Sequence, residues 1–119
     1  MLAAHRGRMA MVDSYADWCV RCNEMERFTF REPRVAQRLG RMLPMQADVT
    51  KDTPADEELL KRFRLFGPPG IVFFDPQGRE TEGGRVIGFQ NADAFPATIE
   101  RATGAASAAA AASTRPAAR

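Results

Sequence analysis

Met9 to Tyr15 is a short, mainly apolar run that reads as a buried strand. Asp13 lies inside it, and a carboxylate in a buried strand is costly unless it has a partner or a task. From Cys19, the residues Val20, Met25, Phe28 and Phe30 are interleaved with Arg21, Asn23, Glu24, Glu26 and Arg27, the pattern of a helix that begins at or beside the cysteine. Pro33 suits the first turn of a second short helix carrying Val35 and Leu39, with Gly40 as its stop, so one bent or broken helical segment is expected here. Arg41 to Val49 reads as a second strand with Pro44 early in it or at an irregularity.

Pro54 opens a helix with Leu59, Leu60 and Phe63 inward, acidic Asp56, Glu57 and Glu58 at its start and basic Lys61, Arg62 and Arg64 at its end, matching the helix dipole. Gly67-Pro68-Pro69-Gly70 must turn. The unbroken apolar run Ile71 to Phe74 predicts a strand covered on both faces. Asp75-Pro76-Gln77-Gly78 is turn chemistry, and Arg85 to Phe89 gives a last strand that forms a hairpin with the one before it. Asn91 caps a final helix through Ala102, in which Pro96 falls late for a first-turn proline. The predicted order is β-α-β-α-β-β-α. Residues 104–119 are Ala-rich, without an apolar face or a cap, and are expected to be a mobile tail beside a domain at 1–103.

Composition changes the picture mainly by exclusion. At 119 residues the chain can bury one core without staples. Arg115 and Arg119 alone account for the net charge of +2, so the rest is balanced and has no clustered basic face for nucleic acid. No run approaches the roughly 20 apolar residues needed to span a bilayer. The first residues lack the apolar core of a signal peptide, so a protein working outside the cytoplasm would carry this sequence as part of something longer. The domain itself is expected to be soluble and monomeric.

The candidate chemistry lies in Tyr15-Ala16-Asp17-Trp18-Cys19-Val20-Arg21-Cys22, which holds the only two cysteines. A bridge between residues three apart constrains the unfolded chain little, so stability does not explain the pair. A thiol attacks a disulfide only as thiolate. Cys19 at a helix N-terminus would be exposed to the positive end of the helix dipole, and Cys22, one turn on, is placed to resolve the mixed disulfide. A Cys-x-x-Cys beside a βαβ pattern is a redox signature.

Metal binding is the rival reading. Zinc would want four ligands and His5 is the only other soft candidate, while copper held by the pair alone, or an incidental pair of core cysteines, are the remaining alternatives. Asp13, six residues before Cys19, and Glu26, one turn after Cys22, are both able to approach the buried sulfur, where a carboxyl of raised pKa would hold or pass a proton. A surface carboxylate is the default for Glu26, whereas the apolar strand around Asp13 argues for a task. Trp18 is expected to cover the motif as a surface lid, or as a half-buried core aromatic. Phe73 and Phe74 are assigned to core.

The motif and its surroundings, Glu26 to Phe30 (Glu-x-x-Thr-Phe), Pro33 with Val35, Gln46 to Thr50 (Gln-Ala-x-Val-Thr), Leu65 to Pro69 (Leu-x-Gly-x-Pro), Phe-Phe-Asp-x-Gln-Gly and Val-x-Gly-Phe, closely resemble the C-terminal thioredoxin-like domain of the thiol:disulfide interchange protein DsbD family, from about Gly7 to Ala102. The resemblance implies a thioredoxin fold, a four-stranded mixed sheet flanked by helices. It implies a protein-disulfide reductase: a periplasmic module, tethered to a transmembrane electron donor, that passes electrons through Cys19 and Cys22 to a partner domain serving disulfide isomerisation and cytochrome c maturation. No cofactor beyond the Cys19–Cys22 disulfide is implied.

The resemblance further implies that Asp13 and Glu26 tune the dithiol and that Pro69 is a cis-proline forming one wall of the substrate groove. Two departures stand out. Pro68 has no N–H to offer an extended partner, and Gly70 replaces the usual Thr, which is expected to leave that loop less constrained. Family domains also begin with an extra strand and helix, so one sheet edge is expected to be uncovered. Outside this family the competing readings are a freestanding cytoplasmic thioredoxin and a non-catalytic or metal-carrying binding module.

Overall fold

The structure, a computed structural model, describes residues 8–114. Four strands form one mixed sheet in the order β2-β1-β3-β4: β1 Ala10–Tyr15, β2 Leu43–Asp48, β3 Gly70–Phe74 and β4 Val86–Ile87. β1 runs parallel to β2 and antiparallel to β3, and β3 antiparallel to β4. The helices are α1 Val20–Glu24, α2 Pro33–Leu39, α3 Pro54–Arg62 and α4 Phe95–Thr114, with a π-helical segment, Met25–Phe30, continuing α1. This is the thioredoxin-like arrangement that the sequence implies.

Strand alternation sends β1 side chains to two layers. Met11 joins Met25, Val35, Phe73, Phe95, Ile99 and Ala102 on one face. Ala10 and Val12 join Leu65, Val72 and Phe74 on the other, under Leu60 and Phe63 of the α3 side. β3 is buried at every position, which accounts for its unbroken apolar run. Pro44 is tolerated because β2 is an edge strand among the described residues. Thr53 caps α3 in a reciprocal pair of bonds with Asp56.

The bent or broken helical segment expected after the dithiol is present, and π geometry makes the break: α1 has five residues before the wider turns begin. Two local expectations are corrected. β4 is two residues long instead of spanning Arg85 to Phe89. Arg85 turns its guanidinium onto the Phe63 and Arg64 carbonyls at the end of α3, and Gly88 adopts φ +92, so pairing stops on both sides. The second concerns the final helix, in which α4 continues to Thr114, past the boundary expected at Ala102. A docked first half removes the nucleation cost, after which alanine propagates the helix readily. Ala106 is itself buried. Asn91 caps a turn ahead of Phe95, accepting from the N–H groups of Asp93 and Ala94, so Pro96 falls in the first turn of α4 and disturbs nothing.

The π segment is clasped from the far side. The N–H of Gln90 donates to Met25 Sδ at 3.2 Å, its carbonyl accepts from Thr29 Oγ1 at 2.7 Å, and its side-chain oxygen accepts from Thr98 Oγ1 of α4 at 2.7 Å.

Candidate functional site

β1 and β2 run parallel, so their C-terminal ends and the loops after them lie together. The loop after β1 carries Trp18 and Cys19; the one after β2 carries Thr50. Two bonds staple them: Trp18 Nε1 donates to the Thr50 carbonyl at 2.9 Å and the Asp17 N–H donates to Thr50 Oγ1 at 2.9 Å, while the Thr50 hydroxyl is held by donating to Asp48 at the end of β2. Asn23 closes the loop from the helix side, donating to the carbonyls of Asp17 (3.2 Å) and Cys19 (3.1 Å), while the Tyr15 hydroxyl donates to Asp17 at 2.9 Å.

Cys19 is the N-cap of α1. Its Sγ accepts from the Cys22 N–H at 3.1 Å, where the unpaired amides of the first turn favour negative charge on sulfur. Cys19 and Cys22 are joined as a disulfide, with Cα atoms 5.2 Å apart. Cys19 is the more accessible, at 7% against 3%. Cys22 Sγ lies 3.8 Å from the Ser14 carbonyl oxygen, an acceptor for its thiol once the bridge is reduced.

Asp13, one residue before Ser14, is buried, and its pKa is pushed up to about 7, first by burial and then by the charge of Glu26. Glu26 is half-buried at the start of the π segment. Gln46 of β2 lies opposite Asp13 in the register and donates Nε2–H to Glu26 Oε1 at 3.0 Å. The two carboxyls singled out in the sequence are thus brought together, and Gln46 is added to them.

Trp18 is 60% exposed despite its tether, a surface flap rather than a core aromatic. The Pro68–Pro69 bond is cis. Because β3 is antiparallel to β1 and Gly70 pairs with Ser14, the two prolines stand at the same end of the sheet as the dithiol loop. Pro69 accepts from the Gly88 N–H at 3.0 Å. Phe66, in the same turn, is 99% exposed. Gly70 corrects an expectation, because it is not a slack loop residue. It is buried, opens β3, pairs with both Ser14 and Ile87, and its carbonyl accepts from Ser14 Oγ at 3.2 Å.

Sequence reasoning did not assign Thr50, Asn23, Gln46 or Ser14 to the site. Asn23 acts locally, one helical turn after Cys19, whereas the positions of Thr50, Gln46 and Ser14 follow from the pairing of β1 with its neighbours and from strand register, which no local pattern encodes. Among the described residues, no three His, Cys, Asp or Glu side chains are grouped to hold a metal ion, and His5 lies outside those residues.

A family profile described as a thioredoxin-like domain matches residues 2–103. The reduced-form structure of the Neisseria meningitidis DsbD C-terminal domain superposes with a TM-score of 0.69 at 36% identity, covering 85% of this chain and 86% of that one. The chain belongs to the DsbD C-terminal, thioredoxin-like domain family. Its full-length DsbD relatives include the thiol:disulfide interchange protein DsbD of Ralstonia nicotianae, 52% identical over 106 residues, and that of Haemophilus influenzae strain PittGG, 46% identical over 100 residues. These alignments take in 89% and 84% of this chain but only 17% of each DsbD, so the chain spans about a sixth of those relatives. A Thermus thermophilus thioredoxin shares the fold with a TM-score of 0.73 at 29% identity, covering 93% of this chain and 85% of that one. Among the described residues, no helix is long and apolar enough to cross a membrane.

Proposed function

We propose that this chain is the periplasmic electron-relay module of a longer, membrane-tethered DsbD-like reductase. Its chemistry is thiol–disulfide exchange at Cys19 and Cys22, and the observation that carries the reading is a disulfide-capable pair capping α1 above two clustered carboxyls. A transmembrane donor domain reduces the pair, and a periplasmic acceptor domain, which serves cytochrome c maturation and disulfide isomerisation, takes the electrons.

In the reduced state the Cys19 thiolate attacks one sulfur of the partner disulfide, forming a mixed disulfide and releasing one partner thiolate. Cys22, as thiolate, then attacks Cys19 Sγ. The partner leaves with both sulfurs reduced, and two electrons have passed from the dithiol, which becomes the Cys19–Cys22 disulfide. Before that second step Cys22 must lose a proton. Asp13, with a pKa near neutrality, is matched to accept it, and Glu26 supplies the repulsion that helps to keep Asp13 there. Trp18, Pro68 and Pro69 border the docking surface, on which a partner meets the Pro68 carbonyl but no Pro68 N–H.

Cys19→Ser should abolish protein-disulfide reduction, and Cys22→Ser should accumulate a mixed disulfide with the acceptor, visible on non-reducing gels. Turnover retained by both variants would overturn the dithiol mechanism. Stoichiometric copper or zinc bound by a reduced protein without reductase activity would favour a metal carrier.

A further inference from the structure

Ser14 carries a hydroxyl that this chemistry does not use. It is fully buried in β1, on the face where Ala10 and Val12 enter the aliphatic and aromatic layer with Leu65, Val72 and Phe74. A hydroxyl in such a row is tolerated only when it finds a partner, and Oγ donates to the Gly70 carbonyl at 3.2 Å. The carbonyl of Ser14 itself faces Cys22 Sγ. One residue therefore touches both the dithiol and the residue that follows Pro68–Pro69.

The space around Gly70 explains why the brace comes from β1. A Cβ on residue 70 would fall 2.8 Å from Leu65 Cδ2 and 3.4 Å from Ser14 Oγ, so those two side chains already fill the place of a side chain at 70. Neither proline of the wall has an N–H with which to join the sheet. Pro69 is held through its carbonyl by the Gly88 amide at 3.0 Å, and Gly70, already paired in the sheet with Ser14 and Ile87, is braced further by the Ser14 hydroxyl.

We propose that Ser14 is a positioning residue for partner docking, its hydroxyl bond to Gly70 setting the Pro68–Pro69 wall relative to the dithiol and so favouring protein disulfides over small ones. This rests on the reading of the two prolines as a docking wall. A small disulfide needs only the sulfur of Cys19, whereas a protein segment must also lie against the wall, so displacing the wall penalises the protein substrate selectively. A hydroxyl that served stability alone would leave that discrimination untouched.

The test compares insulin with hydroxyethyl disulfide as substrates of the wild-type protein, Ser14→Ala and Gly70→Ala. Gly70→Ala reaches the same wall from the other side by displacing Leu65, and keeps the test informative if Ser14→Ala folds poorly. In each variant the insulin-to-small-disulfide ratio of kcat/KM should fall about five-fold, mainly through KM for insulin. The midpoint pH for Cys19 alkylation should stay at its wild-type value. A ratio unchanged in both variants, or equal losses on both substrates, would overturn the role of Ser14. A wild-type protein that reduced hydroxyethyl disulfide but not insulin would instead overturn the docking wall, and the assignment of Ser14 with it.

Discussion

Gln46 and Glu26 are joined across 20 residues of sequence by a 3.0 Å hydrogen bond, in which the amide of an edge strand holds a helix carboxylate in place beside Asp13. The bond gives a role to a residue with no chemistry of its own: it restrains the charge that acts on the buried carboxyl. Glu26→Gln removes that charge, so the Asp13 midpoint should fall below about 7 while staying above 3.8, because burial remains the larger cause. Gln46→Met, similar in length but without the donor, should move it in the same direction by less. Carboxyl carbon shifts followed by NMR against pH in the oxidised protein, where neither cysteine titrates, measure both.

The same carboxyl sets a pH dependence of stability. The folded-state pKa of Asp13 lies above its unfolded value, so between about 4 and about 7 the native state binds more protons than the unfolded one. Its contribution to stability is therefore fullest below the unfolded pKa and is lost as pH rises through the folded pKa. Urea unfolding of the oxidised protein at pH 5 and pH 8 should show lower stability at pH 8. Asp13→Asn should flatten that difference and be the more stable of the two proteins at pH 8.

Trp18 is mostly solvent-exposed and makes one hydrogen bond, to Thr50. Trp18→Phe keeps most of the ring and deletes the donor, which should cost about 1 kcal/mol or less in thermal unfolding. Trp18→Ala should add little to that stability loss but raise KM for a protein disulfide several-fold. A large drop in melting temperature with unchanged KM would make Trp18 a core residue.

The second half of α4 offers a separate test. Ending the chain after Thr103 removes buried Ala106, which lines a cavity together with Asp75, Arg79 and Thr81. The loss should be about 1 kcal/mol, the scale of a buried methyl group, and disulfide exchange should continue at the wild-type rate. Calorimetry paired with a turnover assay reads both outcomes.

How far these features can be read in the sequence depends on the range of the interaction that produces them. The apolar run Ile71 to Phe74, the acidic and basic ends of α3, and the cysteine spacing are local, and each predicts what the structure contains. Asp13 is legible as a conflict, a charge in an apolar strand, and Glu26 as a carboxyl one turn after Cys22, although the effect of one on the other is visible only in the folded arrangement. Ser14, Gln46 and Thr50 are silent because their roles come from strand register. Gly70 is misleading: taken alone it signals freedom, yet in the fold it marks a position already filled by Leu65 and Ser14. The extension of α4 beyond Ala102 has no local signal of its own, because a helix already docked continues through alanine without an apolar face.

The clasp at Gln90 has a mechanical side. Its amide and carbonyl, which would ordinarily continue the β4 ladder, are given to Met25 and Thr29, and its side chain reaches Thr98. The strand leading away from Ile87 is therefore fastened to the helix that carries the dithiol rather than to the sheet. Gly88, which holds Pro69, lies two residues before that clasp. Two residues of chain, from Gln90 to Gly88, thus separate the bonds to the segment that follows Cys22 from the bond to the Pro69 carbonyl, and both attachments sit on one short stretch outside the sheet.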